Sequence, residues 1–122
     1  MKGASPAPHE SRAAARDAAR LTLTKKAEDV VILDLSGVDA VCDYFVLATG
    51  KSEVQVKAIA DAVEEGMAKR GRKPWHIEGY EARRWILLDY VDFVVHVFHI
   101  RAREYYLLDR LWGDVHRELV AD

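Results

Sequence analysis

The sequence predicts a single α/β domain, a mixed sheet of about five strands packed with three helices in the order α-β-β-α-β-β-β-α. Short runs rich in β-branched and aromatic residues alternate with longer stretches of helical period, and Gly, Pro and Asp punctuate them. Half of the 122 residues are hydrophobic and they are spread over positions 20–120, enough for one continuous core and too few for a second domain.

Residues 1–10 hold Gly3, Ser5, Pro6 and Pro8 and little to bury, so they are expected to form a flexible tail ahead of a domain over 11–122. The run SRAAARDAARLTLTKK, from Ser11 to Lys26, predicts the first helix, with Ser11 as its cap and Ala15, Ala18, Ala19 and Leu23 on one face. DVVILDLS (29–36) and DYFVLATG (43–50), bounded by Gly37, Asp39 and Gly50, read as adjacent buried strands. Ser52 with Gln55 three residues on makes a capping box for a second helix, whose Val56, Ile59, Ala60, Val63 and Met67 repeat at helical spacing until Gly71. KPWHIEG (73–79), RWILLDY (84–90) and DFVVHVFHI (92–100) predict three more strands, the last two joined as a hairpin at Val91–Asp92. REYYLLDRLWGDV closes the chain as a helix with Tyr105, Leu108 and Trp112 on one face and Arg103, Asp109 and Arg110 in water.

A formal charge of −2 and a pI near 6.2 argue against a broad basic surface for nucleic acid, leaving any RNA contact local or indirect and without sequence specificity. Cys42 is the only cysteine, so no intramolecular disulfide or multi-cysteine zinc site is available and a buried apolar role is expected. No segment approaches the length of a membrane helix and the first residues lack the apolar stretch of a secretory signal, which predicts a cytoplasmic protein.

Four patterns bear on chemistry. Gly50-Lys51-Ser52 ahead of a helix invites a phosphate-loop reading, but the glycine required five residues earlier is replaced by Phe45. His76-Ile77-Glu78 has the His-x-Glu form of zinc deaminases without the paired cysteines that chemistry needs. Asp89 and Asp92, with Asp34, are candidate magnesium ligands, although their spacing at a hairpin suits a turn better. His96, between Val95 and Val97, fits a hydrogen-bonded core histidine better than a catalytic base. No catalytic residue, metal or cofactor is therefore assigned.

Strand 84–90 is more informative. A period of two puts Trp85, Leu87 and Asp89 on one face and Ile86, Leu88 and Tyr90 on the other, so both faces are largely apolar. Either helices cover both, or one face is kept for a partner.

The strings DYFVLATGKSEVQVKAIAD, Glu78-Gly79, WILLDYVDFVVHVF and REYYLLDRLW, in this order over about residues 12–113, resemble the ribosomal silencing factors of the RsfS, or Iojap, family. The resemblance implies a fold related in shape to nucleotidyltransferases without their active site. It implies a partner, the large ribosomal subunit, bound through ribosomal protein L14, so that the small subunit is kept from joining and translation falls. A homodimer of the free protein is a further expectation, and large-subunit assembly without silencing or a divergent metal-dependent nucleotidyltransferase are the alternatives. By position, Trp85–Asp92 matches the family's docking stretch, so Trp85, Leu87, Asp89, Tyr90 and Asp92 are the expected contact residues. Val91 replaces a glycine common between the two aspartates, and Lys51 and Val54 stand where Asn and Arg are frequent.

Overall fold

The computed structural model describes residues 8–36, 42–106 and 116–121. Along the chain run α1 (Pro8–Leu23), β1 (Glu28–Asp34), β2 (Tyr44–Gly50), α2 (Glu53–Lys69), β3 (His76–Glu78), β4 (Trp85–Asp89), β5 (Phe93–His99), α3 (Ile100–Tyr106) and β6 (His116–Leu119). The strands make one sheet in the order β3-β4-β5-β2-β1-β6. It is a mixed sheet, with β2 and β5 parallel in the middle and the other neighbours antiparallel.

The expected elements are present, with two corrections. The sheet has six strands, because His116–Leu119 pairs with β1 in the register Val31↔Leu119 to Asp34↔His116. Its sequence, HREL, is four residues long and polar, and only long-range pairing makes it a strand. α1 begins at Pro8, three residues before the expected start, and ends at Leu23; Lys26 then takes a positive φ of 61°. Proline suits the first turn, where its missing N–H costs nothing. Ser11 is accordingly no cap but a fully buried residue inside the helix. The expected seam of Leu108 and Trp112 lies outside the described residues.

α2 follows its sequence signals closely. The Ser52 hydroxyl accepts the Gln55 N–H at 3.1 Å, while Gln55 Oε1 accepts from the Lys51 N–H at 2.7 Å. The Gln55 amide also donates to the Lys25 and Lys26 carbonyls, tying the helix start to the end of α1. At the far end Gly71, with φ +80°, lets the Gly71 and Arg72 N–H groups close back on the Ala68 and Met67 carbonyls at 3.0 and 2.9 Å.

α1 and α2 lie side by side on one face of the sheet. Gly66 allows their approach, since a Cβ there would stand 2.4 Å from Leu21 Cδ2. Beneath them Ile32, Val46, Ile86, Leu88, Phe93, Val95 and Val97 join Ala15, Ala18, Val56, Ile59 and Met67 in the principal core. Burying each of the larger side chains contributes about 1.5–3 kcal/mol, so this face carries most of the stability. The alternate residues Val31, Leu33, Leu47, Val94 and Phe98 form a second, smaller cluster on the opposite face, against which Ala102 of α3 packs.

Candidate docking surface

β4 alternates as its sequence predicts: Ile86 and Leu88 are buried in the principal core, while Trp85, Leu87 and Asp89 are partly exposed. Trp85 and Leu87 pack against the second cluster together with partly exposed Phe45. Gly79, with φ +78°, lets the turn before β4 pass directly over Trp85, where a Cβ would fall 2.0 Å from the Trp85 carbonyl oxygen.

The indole is fixed from below. Its Nε1–H donates to His96 Nδ1 at 3.0 Å, which places the imidazole proton on Nε2. His96 also meets the Phe45 ring edge-on at 4.5 Å between centroids and lies parallel to Phe98 at 6.0 Å. It is only 4 % exposed, and Nε2 has no hydrogen-bond partner among the described residues. Burial among aromatic rings penalises the imidazolium and pushes the pKa down to about 4, so the ring is neutral at pH 7 and able to accept the indole proton. The sequence reading of His96 as a hydrogen-bonded core residue is met, with Trp85 as the partner it did not identify.

The remaining three expected contact residues shape the hairpin. Asp89 Oδ1 accepts the Val91 N–H at 2.7 Å, closing a turn in which Val91 takes φ +76°. The Asp89 carbonyl accepts the Trp75 N–H at 2.7 Å. Tyr90 is 5 % exposed and stacks on Phe93 with centroids 4.9 Å apart; burial, with the Glu64 charge second, raises the pKa of its phenol. Asp92 is held by Arg72 Nη1 at 3.2 and 3.3 Å and by the Ser11 hydroxyl at 3.1 Å, with its side chain 9 % exposed. The carboxylate thus joins α1, the exit of α2 and the hairpin. Ser11 is 81 residues away in sequence and Arg72 is 20, so no local pattern could have announced either. The structure therefore separates the five residues: Trp85, Leu87 and Asp89 reach solvent, while Tyr90 and Asp92 turn inward and hold the hairpin that presents them.

The other motifs resolve into local structure. His76 Nε2 and Glu78 Oε1 lie 3.4 Å apart on β3, and Lys51 pairs with Glu28 at 2.9 Å. Burial of Asp34 opposes its ionisation, but the hydroxyl and N–H of Ser36, followed by Arg12, outweigh that and lower its pKa. Burial pushes the Cys42 thiol up to about 11. Among the described residues no three His, Cys, Asp or Glu side chains are grouped to hold a metal ion, and no helix is long and apolar enough to cross a membrane. Asp89 and Asp92, expected as a pair on the metal-site reading, are instead taken up by a backbone N–H and by an arginine.

Comparisons with known proteins bear on this surface. The family model described as "Ribosomal silencing factor during starvation" matches residues 8–122, a span that includes β6 and extends past residues 12–113, which carry the sequence resemblance. Ribosomal silencing factors RsfS of Halalkalibacterium halodurans and Bacillus subtilis are 47 % and 44 % identical over 90 residues, which cover 74 % of this chain and 77 % and 76 % of theirs. A crystal structure of a protein from Chromobacterium violaceum superposes with a TM-score of 0.81 at 31 % identity, covering 91 % of this chain and 92 % of that one. Another, from Bacillus halodurans, gives 0.71 at 41 % identity and covers 85 % and 94 %.

Proposed function

The chain belongs to the RsfS family of ribosomal silencing factors, and on that premise we propose that it docks on the large ribosomal subunit through ribosomal protein L14, blocks joining of the small subunit and so represses translation. The observation that carries the docking site is the partly exposed pair Trp85 and Leu87 on the sheet face opposite α1 and α2. A tryptophan whose orientation is fixed by a hydrogen bond to buried His96 is a preorganised anchor, with little side-chain freedom left to lose on binding. Asp89, at the end of the same strand face, supplies negative charge for basic groups of the partner. The protein acts in the cytoplasm by occupying a surface, without a catalytic step or cofactor, and a free homodimer that buries this same face competes with docking.

Purified protein added to separated subunits should reduce their reassociation in proportion to its occupancy of the large subunit, with no nucleotide present. Inhibition that required ATP or GTP would overturn the steric account. Trp85→Ala should weaken docking by about 2 kcal/mol, roughly 30-fold, with little dependence on salt. Because that change also leaves His96 Nδ1 without its donor, Leu87→Ala is the companion variant: it removes apolar contact and keeps the Trp85–His96 bond. Asp89→Lys should chiefly slow association, and the wild-type rate should fall as salt rises. If the folded Trp85 and Leu87 variants both bind large subunits as tightly as wild type, docking lies elsewhere.

A further inference from the structure

The exit of α2 concentrates positive charge that the fold uses only in part. Lys69, Arg70, Arg72 and Lys73 fall within five residues with no acid among them, in a chain of formal charge −2. Two of the four have structural work. Arg70 donates to the Gly66 carbonyl at 2.8 Å and lies 3.7 Å from Asp17, and Arg72 holds Asp92. Lys69 and Lys73 are exposed and have no ion-pair partner among the described residues.

Trp75 follows directly and is 75 % exposed. Its backbone is not loose: the N–H is bonded to the Asp89 carbonyl, the ring of Pro74 fixes φ just ahead of it, and β3 begins at His76. The indole is thus held out into solvent beside His76, with ring centroids 5.9 Å apart, at an edge strand of the sheet. A large apolar ring left in water, two and six residues along the chain from exposed lysines that form no ion pair among the described residues, matches one chemistry well. A nucleobase stacks on the indole and the flanking phosphates meet the ammonium groups. An acidic peptide would satisfy the lysines and leave the ring without a partner.

We propose that residues 69–76 form an RNA contact, in which Trp75 stacks on an unpaired base and Lys69 and Lys73 bind the adjacent phosphates, without reading base edges. With ribosome docking as proposed above, the RNA is ribosomal and lies beside the Trp85 face; the chemistry itself is testable without a ribosome. Two phosphates on a single strand predict a salt slope of about −1.4 in log affinity against log salt.

The test is anisotropy of a fluorescein-labelled oligouridylate titrated with the full chain across a salt series. Lys69→Glu with Lys73→Glu should weaken binding about tenfold or more and flatten the slope. Trp75→Ala should weaken it at least about fivefold with the slope kept, and Trp75→Phe should recover part of the loss. All the altered side chains are exposed, and thermal unfolding by circular dichroism checks that each variant remains folded. The proposal is overturned if wild type does not bind the oligouridylate, if the variants bind it equally well, or if polyglutamate competes as strongly as unlabelled oligouridylate. It is also overturned if the variants lose affinity for large subunits while their oligouridylate binding is intact, because the patch then meets protein. Wild type that shows the predicted RNA pattern but fails to cosediment with large subunits would remove the docking reading and leave the RNA site standing.

Discussion

The two faces of the sheet are built from the same strands and the same alternation, yet they differ in how they are finished. On the α1 and α2 side Val46, Ile59, Val63, Ile86, Phe93, Val95 and Val97 are all 0 % exposed. On the other side Phe45, Trp85 and Leu87 reach solvent, and a buried histidine with an unpaired Nε2 sits beneath them. The first arrangement maximises burial. The second leaves the large side chains of Trp85 and Leu87 partly in water, which is the pattern expected where a protein retains a surface for something else.

The strongest test of this contrast is to truncate one residue on each face. Phe93→Ala should cost about 3–5 kcal/mol, because it opens a cavity in a fully closed layer and removes the ring on which Tyr90 stacks. Leu87→Ala should cost well under half of that, since its side chain is already partly in solvent. Urea denaturation of both variants measures the difference. Equal losses would mean that the two faces are equally closed, and the argument for a docking face on burial would fail.

The same contrast explains what the sequence could and could not show. α2 was readable because everything it needs is local: Ser52 and Gln55 at its start, the apolar spacing through Met67, and Gly71 at its end. β4 and β5 were readable because period-two alternation is also local, and it correctly divided Trp85 and Leu87 from Ile86 and Leu88. What failed was long-range. Ser11 looked like a cap because serine caps helices, but its hydroxyl is used by Asp92, and α1 runs on past it to Pro8. β6 is polar and short, and only pairing with β1 and the ion pair between Arg16 and Glu118 at 3.0 Å make it part of the fold. The candidate site was readable as a strand face, whereas the division of Asp89 from Tyr90 and Asp92 was not, because it depends on how a three-residue hairpin folds in space.

A second way to sharpen the contrast uses pH, since the histidine that is buried among the described residues, His96, lies on the partly open face. His96 has a pKa of about 4 in the fold, against an ordinary value near 6.5 in the unfolded chain. Its contribution is fully present above pH 6.5. It is lost as pH falls through that value toward 4, because the unfolded chain gains a proton that the folded one refuses. Between pH 7.5 and 5, above the range where carboxylates titrate, the wild type should lose about 2 kcal/mol of stability. His96→Phe should be nearly flat over that interval. A wild type equally flat would show that water or a rearrangement supplies Nε2 with a partner and lets the ring charge in place.

The smallest expected effect lies at the hairpin that joins the two faces. Val91 has φ +76°, a region that a β-branched side chain enters only under strain, typically of order 1–3 kcal/mol. The turn imposes it: Asp89 Oδ1 holds the Val91 N–H, while Tyr90 N–H and Asp92 N–H bond to the Phe93 and Tyr90 carbonyls at 2.9 and 3.0 Å. The backbone thus keeps a conformation that suits glycine, and valine is held in it by the turn's hydrogen bonds. Val91→Gly should remove the strain but free the unfolded chain, which costs up to about 1 kcal/mol. The net should be a stabilisation of about 1 kcal/mol, read by urea denaturation, with affinity for large subunits unchanged because the Asp89 turn is retained. A destabilised Val91→Gly would mean that the valine side chain contributes more through packing than its backbone loses through strain, and the hairpin would then belong energetically to the closed face.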